Sequence, residues 1–153
     1  MKVRTLALSL ALCFVAAMCV AESPMMGTWK LNEAKSKFGP GAEKNTTVVY
    51  EAAGDSVKVT VDGATADGTP VHSEWTGKFD GKDYPVTGDP GGDMRMYKQI
   101  NSHTLLIKDK KDGKITETIR IVISPDGKTR TVTMHGMDAM GKKVSSMSVY
   151  DKE

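Results

Sequence analysis

The strongest constraint on this chain is a repeated pattern in which apolar and polar residues alternate in short runs, each followed by a turn signal. Val57, Val59 and Val61 alternate with Ser56, Lys58 and Thr60, and Val71, Trp75 and Phe79 fall opposite His72, Glu74, Thr76 and Lys78. Successive side chains of a strand point to opposite faces, so each run buries one face and wets the other. Asp-Gly occurs at 62–63, 67–68, 80–81, 112–113 and 126–127, close to the ends of alternating runs. Glycine supplies the positive φ that tight hairpins demand. Helical periodicity is scarce, and the chain reads as all-β. Strands are expected at about 27–32, 45–53, 55–64, 70–79, 82–87, 94–100, 103–110, 114–123, 128–136 and 142–151.

Ten strands joined by short turns, each with one apolar face, can close on themselves and so remove the exposed edges. The expected architecture is a closed or nearly closed antiparallel up-and-down barrel of about ten strands. A two-sheet β-sandwich is the alternative, set behind closure because the hairpins follow one another without the long crossings of a Greek key.

Residues 1–21 stand apart from this pattern. Lys2 and Arg4 precede an almost unbroken apolar run from Leu6 to Val20, and Cys19-Val20-Ala21 places small residues where a signal peptidase reads. The run is shorter than the roughly 20 residues a membrane span needs. A cleaved signal peptide over 1–21 is expected, leaving a single β-barrel domain over 22–153 that is secreted or periplasmic, with no membrane span after cleavage. Lipid attachment at Cys19 is a lesser alternative, because Met18 stands where a small residue is expected. Both cysteines, Cys13 and Cys19, fall in the leader, so disulfides and thiol chemistry are excluded from the rest. The formal charge of +2 equals the contribution of Lys2 and Arg4, which leaves the mature chain neutral and offers no case for nucleic acid.

Gly27-Thr28-Trp29-Lys30-Leu31 resembles the opening Gly-x-Trp strand of the lipocalin and fatty-acid-binding-protein (calycin) barrels, and Val149-Tyr150-Asp151-Lys152 resembles the last strand of the fatty-acid-binding proteins. Ala34-Lys35-Ser36-Lys37-Phe38 and the stretch from Asp80 to Pro90 are similar to small exported bacterial lipocalin-like proteins of unassigned function. The resemblance implies structural roles for Gly27 and Trp29, with the indole plugging one barrel end. It also implies a luminal ligand. Two departures stand out. Ser148 occupies the position where fatty-acid-binding proteins carry an Arg for the ligand carboxylate, and Gly39-Pro40-Gly41 interrupts the segment where they build a helical lid.

The lumen wall is expected from Val57, Val59, Val61, Val71, Trp75, Phe79, Met94, Met96, Ile119 and Ile121. Glu117 falls in the row Ile115, Glu117, Ile119, Ile121, Ile123, and is read either as a polar anchor inside the barrel or as a solvated residue near the rim. Ser148 and Tyr150 would extend a polar lining. The Gly88–Asp93 segment reads as a plain turn. The expected function is capture of a small, mostly apolar or amphipathic ligand in the lumen, without catalysis or cofactor. The alternative is an interaction module working through barrel-end loops, its protein partner unknown. Cu(I) binding is less favoured: the methionines and His135 suit soft-metal chemistry, but Met134 and His135 point to opposite faces of a strand. An enzyme is also less favoured, because the chain has three His and neither a His-Glu-x-x-His nor a Gly-x-Ser-x-Gly motif.

Overall fold

The computed structural model describes residues 23–138 and 140–153. The leader at 1–21 lies outside the described residues. Ten strands follow one another: β1 (Gly27–Phe38), β2 (Lys44–Ala53), β3 (Ser56–Ala64), β4 (Pro70–Gly77), β5 (Asp80–Thr87), β6 (Met94–Asn101), β7 (Thr104–Lys111), β8 (Lys114–Ile123), β9 (Thr129–Met137) and β10 (Lys143–Lys152). Each pairs antiparallel with its sequence neighbours, and β1 closes on β10 through Trp29↔Lys152, Lys30↔Asp151 and Leu31↔Tyr150. This is a closed up-and-down barrel rather than a sandwich. Among the described residues no helix occurs, so no helical lid covers the barrel.

The turn signals divide into two kinds. Asp67-Gly68, Asp112-Gly113 and Asp126-Gly127 lie in connections and adopt positive φ at the glycine. Asp62-Gly63 instead sits inside β3, and Asp80-Gly81 opens β5 with positive φ at Gly81, each beside a register shift. β1 runs to Phe38, well past the expected residue 32, because it rejoins β10 after an irregular stretch between Asn32 and Lys37. Side chains bridge that gap. Asn32 donates to Asp151 at 2.7 Å, Ser36 Oγ donates to the Asn32 carbonyl at 2.7 Å, and the Val149 N–H donates to Ser36 Oγ at 2.9 Å.

The barrel has a floor, where β1 begins and β10 ends, and a mouth formed by the connections at the opposite end. Trp29, Tyr50, Val59, Trp75, Tyr97, Leu105 and Ile123 fill the lower lumen as part of one buried cluster. Its rings interlock: Trp75 lies 4.4 Å from Tyr97 and stacks on Phe79 at 6.3 Å, while Tyr50 meets Tyr97 edge-on at 6.4 Å. Both indoles find acceptors, Trp29 at the Met25 carbonyl and Trp75 at the Arg95 carbonyl, each at 3.0 Å. Lys152 lies over Trp29 and donates to the Pro24 carbonyl at 3.1 Å, which ties the last strand to the segment preceding the first.

Candidate binding site in the upper lumen and mouth

Above this aromatic floor the inner wall changes character, because the inward rows of β6, β7 and β8 end in charged residues. On β7 the row Leu105, Ile107, Asp109 places Asp109 inward with only 2% of its surface exposed. Its register partner across β6 is Arg95, and across β8 it is Glu117; Glu117 in turn faces Gly136 on β9. Paired residues share a face, so Arg95, Asp109 and Glu117 form a contiguous belt around the upper wall.

Arg95 is saturated. Its Nε and Nη2 donate to Asp109 at 2.5 and 2.8 Å, and Nη2 also donates to Asp89 at 2.6 Å. Burial works against the charged form of Arg95, but the Asp109 and Asp89 carboxylates outweigh it and hold the guanidinium protonated. Asp89 arrives from the β5–β6 connection, which is therefore more than a plain turn: it folds over the mouth and inserts a carboxylate. Gly88 makes this possible. It adopts a φ of +75°, and a Cβ there would lie 2.1 Å from the His72 carbonyl oxygen.

Glu117 is the second unusual group. It points inward near the mouth, between the two readings open from sequence, and packs over Gly136, where a Cβ would sit 2.8 Å from its Cγ. Burial, then the nearby carboxylates of Asp109, Asp89 and Glu43, push its pKa up to about 7. Burial and the Asp89 carboxylate raise Glu43 in the same way. Ile115 does not continue this row. It pairs with Lys110 while Glu117 pairs with Asp109, so Thr116 is an extra residue that turns Ile115 outward, where it is 54% exposed.

Arg130 is the third. It is the second residue of β9, beside Tyr150, is 3% exposed, and places its guanidinium 4.9 Å from the Trp29 ring, 5.3 Å from Tyr50 and 4.7 Å from Tyr150. Its Nε has no hydrogen-bond partner among the described residues, and the buried ion pairs of the lumen belong to Arg95. Aromatic faces attract a cation but accept little of its hydrogen-bonding capacity. Ser148 itself is uncharged and pairs with Val132, and the buried cation lies on the neighbouring strand, two residues from that pairing. Tyr150 donates to the Asn45 carbonyl at 2.9 Å, and burial raises its pKa to about 12.

The residues singled out from sequence separate into four groups. Val61, Val71, Glu117, Ile119, Ile121 and Tyr150 line a luminal cavity of about 80 Å³, together with Glu43, Asp89, Arg95, Asp109 and Arg130. Val57, Val59 and Trp75 are packed in the floor cluster with Phe79 against it, and Ser148 is buried on the inner face beside Tyr150 without lining the cavity. Met94 and Met96 face outward instead: Arg95 and Tyr97 take the inner positions of β6, and Met96 pairs with Lys108 and Asp83 on the outside. Gly27 and Trp29 sit at the floor, Trp29 within the buried cluster. A wider concavity of about 870 Å³ opens at the mouth, lined by Ala42, Met134, Met137, Met140 and Val144, and it shares Glu43, Gly91 and Glu117 with the luminal cavity. Among the described residues, no group of three or more His, Cys, Asp or Glu is placed to hold a metal ion.

Asp109 and Arg130 carry the same sequence signal that marked Glu117, a charge in period-two register with apolar residues. Arg95 carries none, since it is flanked by the two methionines assigned inward.

No protein-family model and no curated protein matches this chain. Solved structures do. The chain is similar to EF1p2_mFAP2b bound to DFHBI, with a TM-score of 0.50 and 10% identity over 85% of this chain and 94% of that one. It is also similar to a redesigned beta barrel, mFAP1, bound to DFHBI, with a TM-score of 0.47 and 11% identity over 84% and 95%. At these identities the likeness concerns the fold alone.

Proposed function

We propose that this protein is an exported, non-catalytic binding barrel that takes a small amphipathic molecule by an acidic group, with that group against Arg130. The observation that carries this reading is Arg130 itself, a buried guanidinium facing the luminal cavity without an anion among the described residues. Burying a charge is expensive unless it is paired, and a ligand carboxylate would supply the pair together with directed hydrogen bonds. An enclosed space of about 80 Å³ suits a head group and short stem, while the mouth, which shares three wall residues with it, would take the body. A similar barrel is bound to DFHBI, so the architecture is compatible with ligand capture.

Native mass spectrometry of protein purified from its own organism tests this reading. Wild type should retain a small acid and Arg130→Met should lose it; retention of a molecule without an acidic group, or equal retention by the variant, would overturn it. The same spectrum reads export, since a chain beginning at Glu22 is expected.

A second reading keeps the barrel as an interaction module working through the mouth. It is favoured by an enclosed volume of about 80 Å³, below the roughly 300 Å³ of ordinary ligand pockets, and by the exposed side chains of Met137 and Met140 on the rim. A stoichiometric protein partner, with no retained small molecule, would select it.

A further inference from the structure

An acid-binding cation at the floor of an acidic funnel is an electrostatic contradiction. Glu43, Asp89, Asp109 and Glu117 all line the cavity with Arg130. Arg95 is already shared by Asp89 and Asp109, so that group carries a surplus negative charge, and neither Glu43 nor Glu117 has a cation partner inside the lumen among the described residues. A simple anion would cross and then remain in this field. Two buried charges of opposite sign thus share one cavity without pairing with each other. The ladder between β8 and β9 explains their separation. Arg130 faces Ile123, and Glu117 faces Gly136. Six residues of strand are roughly 20 Å, or roughly 15 Å along the barrel axis after strand tilt, a gap that the two side chains shorten.

We infer that the ligand is amphoteric, with a carboxylate held by Arg130 at the floor and an ammonium group held by Glu117 and Glu43 at the mouth. This rests on the acid-binding reading above and narrows its substrate class to amino acids whose two charged groups are separated by an apolar spacer. The spacer would run past Val61, Ile107, Ile119, Ile121 and Val132, which line the wall between the two poles. The ligand's own cation offsets the repulsion that a plain carboxylate meets, and each pole satisfies a charge that the protein's own described residues leave uncompensated. The raised pKa of Glu117 agrees with a carboxylate lacking its cation.

The test is calorimetric titration of the purified protein at neutral pH with 4-aminobutanoate, 6-aminohexanoate and 8-aminooctanoate, each beside the fatty acid and the alkylamine of the same chain length. At least one amino acid should bind about tenfold or more tightly than its matched acid, the strength of one charge pair partly screened by water. Glu117→Gln should remove that advantage and leave the matched acid unchanged or improved. Arg130→Met should abolish binding of amino acid and acid alike, with Arg130→Lys as the folded, charge-retaining control. Matched acids binding as tightly as the amino acids, or no amino acid binding at all, would overturn the amphoteric assignment. Acids that bind wild type and Arg130→Met equally would overturn the acid-binding reading itself.

Discussion

The floor and the mouth of this barrel are built from the same ten strands but obey opposite rules. At the floor, Arg130 Nε apart, buried polar side chains find partners: both indole N–H groups reach carbonyls, and the Lys152 ammonium reaches the Pro24 carbonyl. At the mouth, four carboxylates and Arg95 crowd the inner wall, and the carboxylates outnumber the cation. The first arrangement maximises apolar burial, whereas the second leaves charge uncompensated inside a low-dielectric space. The floor therefore holds the fold, and the mouth holds a tension that a ligand can relieve. Arg130 sits at the junction, its charge seated on floor aromatics and open to the cavity above.

Substitution should break this contrast by amounts that follow burial and pairing. The largest effect is expected at the floor: Trp29→Ala removes a fully buried indole and should cost about 4 to 5 kcal/mol of stability in guanidinium titration. A loss below about 1 kcal/mol would mean that the aromatic plug is dispensable. Next comes Asp109→Ala, which strips Arg95 of its bidentate partner and should cost about 3 to 4 kcal/mol because a buried guanidinium is left with Asp89 alone.

Glu117→Gln should have the opposite sign. Its carboxyl titrates near 7 in the folded barrel against an ordinary value of 4.5. Between those values the folded state holds a proton that the unfolded chain has released, so stability falls as pH rises through that window. The variant should thus be more stable than wild type by about 2 to 3 kcal/mol at pH 8, with the gap closing towards pH 4. An unchanged gap across that range would show that Glu117 is solvated after all. The smallest effect is expected on the rim, where Met140 is 88% exposed. Met140→Ser should stay within about 0.5 kcal/mol of wild type in thermal melts.

The outer surface sharpens the same contrast. His72 lies 2.6 Å from Asp62 on the wet face of the β3–β4 pair, opposite the buried Val59 and Val61 on the inner face. Its hydrogen bond to Asp62 raises its pKa, yet full exposure makes it a surface pair and not a determinant of the lumen. Strand alternation alone was enough to place His72 and Glu74 outside and Val57, Val59, Val61 and Trp75 inside. The same alternation misled at Met94 and Met96, because their run contains no strongly apolar row to set the phase. Arg95 goes inward there in the same row as the buried Tyr97, and Asp109 across the β6–β7 ladder partners its charge.

Alternating runs and short turns are local properties, and they were sufficient to specify an all-β chain of about ten antiparallel strands and to favour closure over a sandwich, which the β1–β10 pairing then decided. Phase and company are not local. A single extra residue at Thr116 reverses Ile115 but leaves Glu117 inward, and the left-handed Gly88 carries Asp89 from a loop into the lumen. Tertiary closure alone decided that Asp109 would meet Arg95 and that Arg130 would stand apart from every carboxylate in the same cavity. The physical reason is register. Strand pairing fixes which charges become neighbours, and a shift of one residue moves a side chain to the opposite face.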